Sequence, residues 1–249
     1  MNPLQTIRKK WLESRWIGMP ALPDGVLLQP SKQAAQGVVM GMRVAVLEEQ
    51  AAAVLAEGRL ISVFLPGAYT LEEAKMPRLT PDPKCEWLFP AEVLFLNLMP
   101  FNAQPWGVDV PLLARDPDFG LVQLVANGTY EAQVTNVTVF IQKVVVERGW
   151  REWSPVHQWL SARLSNLIID FAARQQLQLA RLDKFKERAC QALLQEVNLE
   201  FKKLGLTINK VELQQLELHP TMQRLLQERP SLQADTAAYN QAIMRSLLG

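Results

Sequence analysis

The side chains best suited to catalysis are few and lie far apart along the chain. His157 and His219 are the two histidines among the 249 residues, and Cys85 and Cys190 are the two cysteines. A nucleophilic site needs a base within hydrogen-bond reach of the nucleophile, and no local pattern pairs either imidazole with such a partner. We interpret both histidines as surface or capping residues, and we predict no catalytic residue and no enzymatic activity.

Sites for a metal ion or a cofactor have equally little support. A zinc site would require both cysteines and both histidines to converge from four unrelated segments without a local ligand pair. Neighbouring acids occur at Glu48–Glu49, at Glu72–Glu73 and in the turn that contains Asp116 and Asp118. Because neighbours on a strand point to opposite faces, we interpret these acids as solvated edges rather than as catalytic pairs. The sequence has no glycine-rich phosphate loop, so we predict neither a metal nor a cofactor.

Composition and charge limit the possible partners. The chain is 49% hydrophobic and 20% charged, which is ordinary for a packed protein with a real core. A formal net charge of +1 argues against nucleic acid, because phosphate binding needs an excess of basic residues on one face. The two isolated cysteines suit reduced thiols, and the sequence shows neither a membrane-spanning apolar run nor a secretory signal. We therefore expect a cytoplasmic protein.

The secondary-structure elements that must hold these residues fall into two regions of the chain, a first region rich in strands and a second region rich in helices. These are called the first and second regime. Residues 22–150 contain short runs with the side-chain pattern of β-strands. Residues 151–230 show helical spacing of apolar residues, with one late strand. In the first regime, Glu57-Gly58 predicts a tight hairpin turn between strands 51–56 and 59–65, and Pro66-Gly67 predicts a second turn that completes a β-meander. Further strands are predicted at 91–98, at 108–113 and twice within 120–134.

The second regime carries helical patterns with clear ends. Ser154 and Pro155 predict the start of one amphipathic helix. A second helix is predicted to end at Gly205 and to bury one stripe of residues: Phe185, Ala189, Leu193, Val197, Phe201 and Leu204. A strand is predicted at 206–218. Its apolar residues move from even to odd positions midway, which predicts a bulge or face switch. Pro220 is predicted to start another helix.

This organisation predicts three segments. A basic amphipathic segment covers 1–21, one α+β domain covers 22–230, and a helical tail covers 231–249. Three tryptophans, Trp150, Trp153 and Trp159, surround the change from strands to helices. They pack either in a core or as a partner-binding patch.

Several stretches resemble, in order and spacing, the SPFH (band 7) domain in its bacterial virion-core-protein-like branch. The stretches are VAVLEEQAAAVLAEGRLISVFLPGAYTL, AEVLFLNL, WGVDVPLLARDPDFGLVQLVANGTYEAQV and LGLTINKVELQQLEL, and the likeness spans roughly residues 44–228. The most specific matching positions are Pro66, Gly67, Trp106, Gly107, Arg115, Asp116, Phe119, Gly120, Gly128 and Tyr130. The resemblance implies that these positions are structural, with Asp116 and Asp118 bonding turn amides and Gly120 relaxing the backbone.

The resemblance also implies a fold and a function. The fold is an α+β domain with a curved antiparallel sheet, packed helices and a short helical C-terminal tail. The function is that of a non-enzymatic scaffold that forms homo-oligomers at the cytoplasmic membrane surface and organises lipids or partner proteins there. Phage-shock-type or other membrane-stress proteins are the partners that the family suggests. The alternatives are a soluble protein-interaction module of the same fold, and a hydrolase with an unrecognised site.

The N-terminal segment is the candidate for membrane contact. Within residues 1–16, four basic residues and one acidic residue, Glu13, give a net charge of +3 beside two indoles. The residues predicted to contact lipid are Ile7, Arg8, Lys9, Lys10, Trp11, Arg15 and Trp16. In the alternative interpretation, Trp11 and Trp16 pack on the domain and the basic residues are solvated.

Overall fold

The computed structural model describes residues 16–72, 76 and 79–228. The strands of this part are β1 (Trp16–Gly18), β2 (Leu28–Pro30), β3 (Arg43–Val46), β4 (Gln50–Ala56), β5 (Arg59–Phe64), β6 (Gly67–Thr70), β7 (Glu92–Asn97), β8 (Phe101–Gly107), β9 (Leu112–Asp116), β10 (Gly120–Val134) and β11 (Leu206–Leu218). The helices are α1 (α-helical Val137–Phe140 continuing as π-helical Ile141–Val146), α2 (Trp153–Arg174), α3 (Leu182–Phe201) and α4 (Pro220–Glu228). Short 3-10 turns lie at Lys32–Ala34, Leu179–Arg181 and Lys202–Leu204. The predicted α+β class, with antiparallel sheets and packed helices, is confirmed.

The chain divides into two compact units. The first contains the described parts of Met1–Phe101, Gln133–Val156 and Lys202–Thr207. The second contains the described parts of Asn102–Ala132, His157–Phe201 and Ile208–Gly249. The predicted tail at 231–249 lies outside the described residues.

The first unit is built on two small sheets. One has the order β1-β3-β6 and the other β2-β7-β4-β5. Apolar side chains of both sheets meet in one core, which includes Ile17 and Val44 from the first sheet and Val54 and Phe95 from the second. Ile17 is fully buried and β1 pairs in parallel with β3, so the chain joins the first sheet at Trp16. The boundary at residue 21 stays a prediction.

The predicted hairpin is confirmed, and the predicted meander is not. Strands β4 and β5 pair antiparallel around Glu57 and Gly58, whose φ angles of 51° and 71° are both positive, as a two-residue hairpin turn of type I′ requires. After β5 the chain leaves this sheet, and β6 pairs with β3 instead. Pro66 has no N–H to continue the ladder, and Gly67 turns the chain at a φ of 145°.

Helix α1 lies inside the segment predicted to be β-rich, so that prediction is wrong for residues 137–146. The side chain of Asn136 caps the helix by accepting a hydrogen bond from the Val139 N–H at 3.1 Å. The buried face follows helical spacing through Val137, Phe140, Ile141, Val144 and Val145. Burial of this face and the cap together outweigh the β propensity of a valine-rich run.

The second unit contains most of a sheet of order β11-β10-β8, with β9 also paired to β10. Two strands were predicted within 120–134, but β10 is one continuous strand of 15 residues. Gly128 does not turn the chain. It lets the backbone of β11 approach, because a Cβ at this position would overlap the carbonyl oxygen of Glu212.

The helical predictions for the second half hold. Helix α3 buries the predicted stripe from Phe185 to Phe201. Leu204 is half-buried in the 3-10 turn that follows, and Gly205 comes next with a φ of 78°. Strand β11 buries Leu206 and Ile208 in one phase and Val211 and Leu213 in the other, which confirms the predicted face switch. Helix α4 begins at Pro220, as predicted.

Candidate interaction surfaces

The turn between β9 and β10 is organised by one buried carboxylate. Asp116 is 4% exposed, and its Oδ1 accepts hydrogen bonds from the N–H groups of Asp118 at 2.8 Å and Phe119 at 3.0 Å. Its Oδ2 accepts a third bond, at 2.7 Å, from the N–H of Leu179. Because all three donors are backbone amides, the carboxylate fixes two loops and is not placed for acid–base chemistry.

The other motif residues of this turn, Arg115 and Gly120, contribute through their backbone atoms. Gly120 has a φ of 73° and pairs with Asp116 across the turn. The carbonyl of Arg115 accepts a hydrogen bond from Leu177 at 2.8 Å, while its side chain is exposed. Phe119 is half-buried. The turn therefore sets the register of β9 against β10.

A second group of motif residues joins β8 to β10 and the sheet to helix α2. The indole N–H of Trp106 donates to the carbonyl of Thr129 at 3.3 Å, and the hydroxyl of Ser165 donates to the carbonyl of Gly107. The hydroxyl of Tyr130 lies 2.7 Å from Nδ1 of His157. These three contacts, together with the close approach at Gly128, give the motif residues packing roles.

The pair of Tyr130 and His157 is protonated in a defined way. Burial raises the pKa of the Tyr130 hydroxyl far above its ordinary value of 10, so the phenol is neutral. Burial lowers the pKa of His157 below its ordinary value of 6.5, so the imidazole is neutral at pH 7. With both groups neutral, the imidazole tautomer decides which of the two atoms donates the hydrogen bond.

A cleft of about 680 Å³ borders this pair. One wall is the chain at residues 105–110, and the other is one face of α2. Its polar lining consists of Asp109, His157, Gln158, Ser161, Ser165 and Asn166. Since His157 is bonded to Tyr130, no serine in this lining has an activated-nucleophile arrangement among the described residues. The cleft can accommodate polar groups.

Other candidates for chemistry are dispersed. Cys85 and Cys190 are free and half-buried, and the described residues contain no group of three potential metal ligands. His219 accepts a hydrogen bond at Nδ1 from the Thr221 N–H at 3.3 Å, at the start of α4. Glu48 and Glu49 are exposed, and Glu73 lies outside the described residues.

Pro66 and Gly67 complete the motif positions. The carbonyl of Pro66 accepts a hydrogen bond from the hydroxyl of Tyr69 at 3.4 Å. A Cβ on Gly67 would lie 3.3 Å from the same hydroxyl, in a backbone conformation that favours glycine. Both residues fix the path between β5 and β6.

Of the predicted lipid-contacting residues, the structure describes Trp16 alone. Ile7, Arg8, Lys9, Lys10, Trp11 and Arg15 lie outside the described residues. Trp16 is 52% exposed in β1, and the guanidinium carbon of Arg43 lies 5.3 Å from the ring centroid. This indole and cation form a small exposed pair at the point where the basic segment joins the sheet.

The three tryptophans at the strand-to-helix change make different contacts. Trp153 is buried and stacks on Phe101 at 3.8 Å in the first unit. Trp159 packs on Phe201 at 4.5 Å in the second unit. Trp150 lies beneath the guanidinium of Arg148 at 5.1 Å. The contacts of Trp153 and Trp159 are packing contacts.

Hydrogen bonds of the motif residues Asp116, Trp106 and Tyr130 join turns, strands and a helix. The chain matches the model of the SPFH domain-Band 7 family over residues 32–234. The protein therefore belongs to the SPFH domain-Band 7 family. Members of this family are generally non-enzymatic scaffolds with membrane-associated or protein-interaction roles. No curated protein matches the chain. Among the described residues, no helix is both long and apolar enough to cross a membrane.

Proposed function

We propose that this protein is a peripheral membrane scaffold of the virion-core-protein-like SPFH subgroup. It forms homo-oligomers on the cytoplasmic face of a bacterial membrane and organises lipids or membrane-stress proteins of the phage-shock type. The observation that carries the proposal is the family match, which covers residues 32–234. Because a family likeness alone is an argument by analogy, the buried motif residues and the basic N-terminal segment supply further support.

The polar atoms of the motif residues support a scaffold role. The carboxylate of Asp116 accepts hydrogen bonds from three backbone donors, and the hydroxyl of Tyr130 is hydrogen-bonded to His157. The indole N–H of Trp106 is likewise bonded to a strand carbonyl. Groups that are committed to internal hydrogen bonds hold elements together and are poor candidates for substrate chemistry.

The N-terminal segment supports membrane contact. It brings a net charge of +3 over residues 1–16 and joins the sheet at an exposed indole with Arg43 beside it. Each basic residue near an anionic lipid surface contributes about 1 kcal/mol. Such binding is weak for one subunit, so stable attachment requires several subunits that bind together.

Vesicle flotation tests this contact. The full-length protein is expected to float with vesicles rich in phosphatidylserine, to float less with neutral phosphatidylcholine vesicles, and to be released by salt. Replacing Arg8, Lys9, Lys10 and Arg15 with glutamate should abolish flotation. The matched control, Arg8→Lys with Arg15→Lys, keeps the charge and should float like the wild type.

The soluble alternative gives a different result in the same experiment. If the wild-type protein stays unbound with anionic vesicles, or if the glutamate variant floats equally well, the basic segment does not contact lipid. A protein that self-associates in solution without flotation would be a soluble interaction module of the same fold.

A further inference from the structure

Strand β5 forms the outer edge of its sheet. In the order β2-β7-β4-β5 it has β4 on one side, and it pairs with no other described strand. The outer side of an edge strand presents alternate backbone N–H and C=O groups that are able to pair with another chain. Within the part of the chain that the structure describes, no side chain hydrogen-bonds to the backbone of residues 59–63.

A groove of about 530 Å³ runs along this strand. Five consecutive residues of β5, 59–63, form one wall. Thr138, Gln142 and Val146, which lie four residues apart on one face of α1, form the other wall. Gln142 and Val146 belong to the π-helical part of α1, a rare conformation that occurs frequently at functional sites. A strand edge facing a helix across a groove is the geometry that accepts an extended peptide.

At the edge of β11, by contrast, a side chain occupies backbone hydrogen-bonding groups. The side chain of Asn198 in α3 accepts a hydrogen bond from the N–H of Ile208 and donates one to its C=O, both at 2.9 Å. This amide occupies the place of a peptide group from a neighbouring strand, so it protects β11 from pairing with another chain. Helix α1 lies beside β5, and the groove is lined by residues 59–63 of the strand and by Thr138, Gln142 and Val146 of the helix.

The side chains of β5 also leave it open to pairing. Arg59 is its one charged residue, and it contains no proline. A register shift near Ile61 interrupts the pairing with β4, but it places no group over the outer edge. Edge strands that are protected by composition carry several charges or a proline, and β5 has neither device.

We propose that the groove between β5 and α1 binds an extended segment of a partner protein, which adds to the sheet as a further strand. Arg59 is the only charged residue among the described residues that line the groove, and it forms no ion pair with another described residue. The groove therefore favours a segment with alternating apolar side chains and one acidic side chain that reaches Arg59. The inference extends the function beyond the membrane scaffold and does not depend on lipid binding.

Selection of displayed peptides tests the site. Random dodecapeptides on phage are selected against the full-length protein, and the enriched peptides are expected to alternate apolar residues and to carry an acid. Gln142→Trp fills the groove from an exposed position, and it should weaken binding of a selected, labelled peptide at least about tenfold. Lys143→Trp places the same side chain one residue further on, outside the groove lining, and should leave binding unchanged.

Two further measurements identify the mode of binding. Selection against Arg59→Glu should yield peptides that carry a basic residue in place of the acid. Strand addition also protects backbone amides, so hydrogen exchange of the amides in 59–63 should slow when the peptide is added. If Gln142→Trp does not fold, Thr138→Trp blocks the same groove from another exposed position.

Three results would overturn the proposal. One is a failure to enrich any peptide above the background of the Gln142→Trp variant. Another is a selected peptide that binds wild type and Gln142→Trp equally. The third is self-association that Gln142→Trp abolishes, which would assign the groove to a second copy of this chain. Vesicle flotation of Gln142→Trp should match that of the wild type, so failure here is distinguishable from failure of the membrane proposal.

Discussion

Asp116 is the residue whose chemistry most shapes its surroundings. Its carboxylate accepts three backbone hydrogen bonds while 4% exposed, and one of the three donors, Leu179, lies far away in sequence. The RDPDFG stretch indicates that an acid would bond the turn amides, and Asp116 makes these bonds. The bond to Leu179 has no signal in the sequence, because the donor is a backbone amide in a distant loop.

Asp116→Ala is expected to destabilise the protein by roughly 3 kcal/mol, because it leaves buried amides without an acceptor. Chemical denaturation followed by circular dichroism measures the change. Asp118→Ala is the matched control in the same turn. Its side chain is exposed, so its effect should stay within about 0.5 kcal/mol. Equal effects of the two substitutions would refute the role of Asp116.

His157 should make stability depend on pH. Because its pKa in the folded protein lies below the ordinary value of 6.5, the unfolded chain binds a proton more readily than the folded chain. The contribution of His157 is therefore fully present above about pH 6.5 and is lost as the pH falls through the folded pKa.

His157→Asn tests this prediction, since the amide oxygen of asparagine can accept from Tyr130 and does not titrate. Denaturation midpoints measured between pH 8 and 5 should fall less steeply for this variant than for the wild type. A wild-type slope in His157→Asn would show that another group causes the pH dependence.

The elements differ in how far the sequence specifies them. Helix α3 was predictable because one apolar stripe, Phe185 to Phe201, repeats at helical spacing and Gly205 ends the element. Helix α1 was not, since its valine-rich run has β propensity, and it becomes helical through the Asn136 cap and a buried face. Burial of such a face depends on residues that are distant in sequence, so the local sequence does not reveal it.

Strand pairing between distant segments was also beyond the sequence. Pro66-Gly67 was recognised as a turn, but the pairing of β6 with β3 depends on residues of another segment. The resemblance implies a structural role for Gly128, and the approach of β11 that requires a glycine there comes from a distant segment. The hydrogen bond between Tyr130 and His157 joins a strand to a helix, and neither residue's neighbours indicate it.

Gly128→Ala tests the close approach of β10 and β11. Its Cβ would collide with the carbonyl of Glu212, which belongs to a backbone and cannot rotate away. We expect a loss of stability of roughly 3 kcal/mol or more, or failure to fold, measured by chemical denaturation. Gly18→Ala is the control in another strand. There the nearest atoms lie at 3.7 and 3.9 Å, and the variant should denature close to wild type.

For the whole molecule, family membership gives the class of protein, whereas the proposed function also requires attachment to a membrane. The match over residues 32–234 gives the class of protein, and the framework roles of Asp116 and Tyr130 agree with it. Attachment to a membrane depends on weak basic contacts that several subunits must share. Self-assembly on lipid is therefore the central requirement of the proposed function.

Counting photobleaching steps on a supported bilayer measures that requirement directly. The full-length protein, with one fluorophore on each 28.2 kDa chain, is applied to a bilayer that contains phosphatidylserine. We expect most bound spots to bleach in several steps, and we expect few spots on pure phosphatidylcholine. Spots that bleach in one step, or equal binding to both bilayers, would contradict the proposed scaffold.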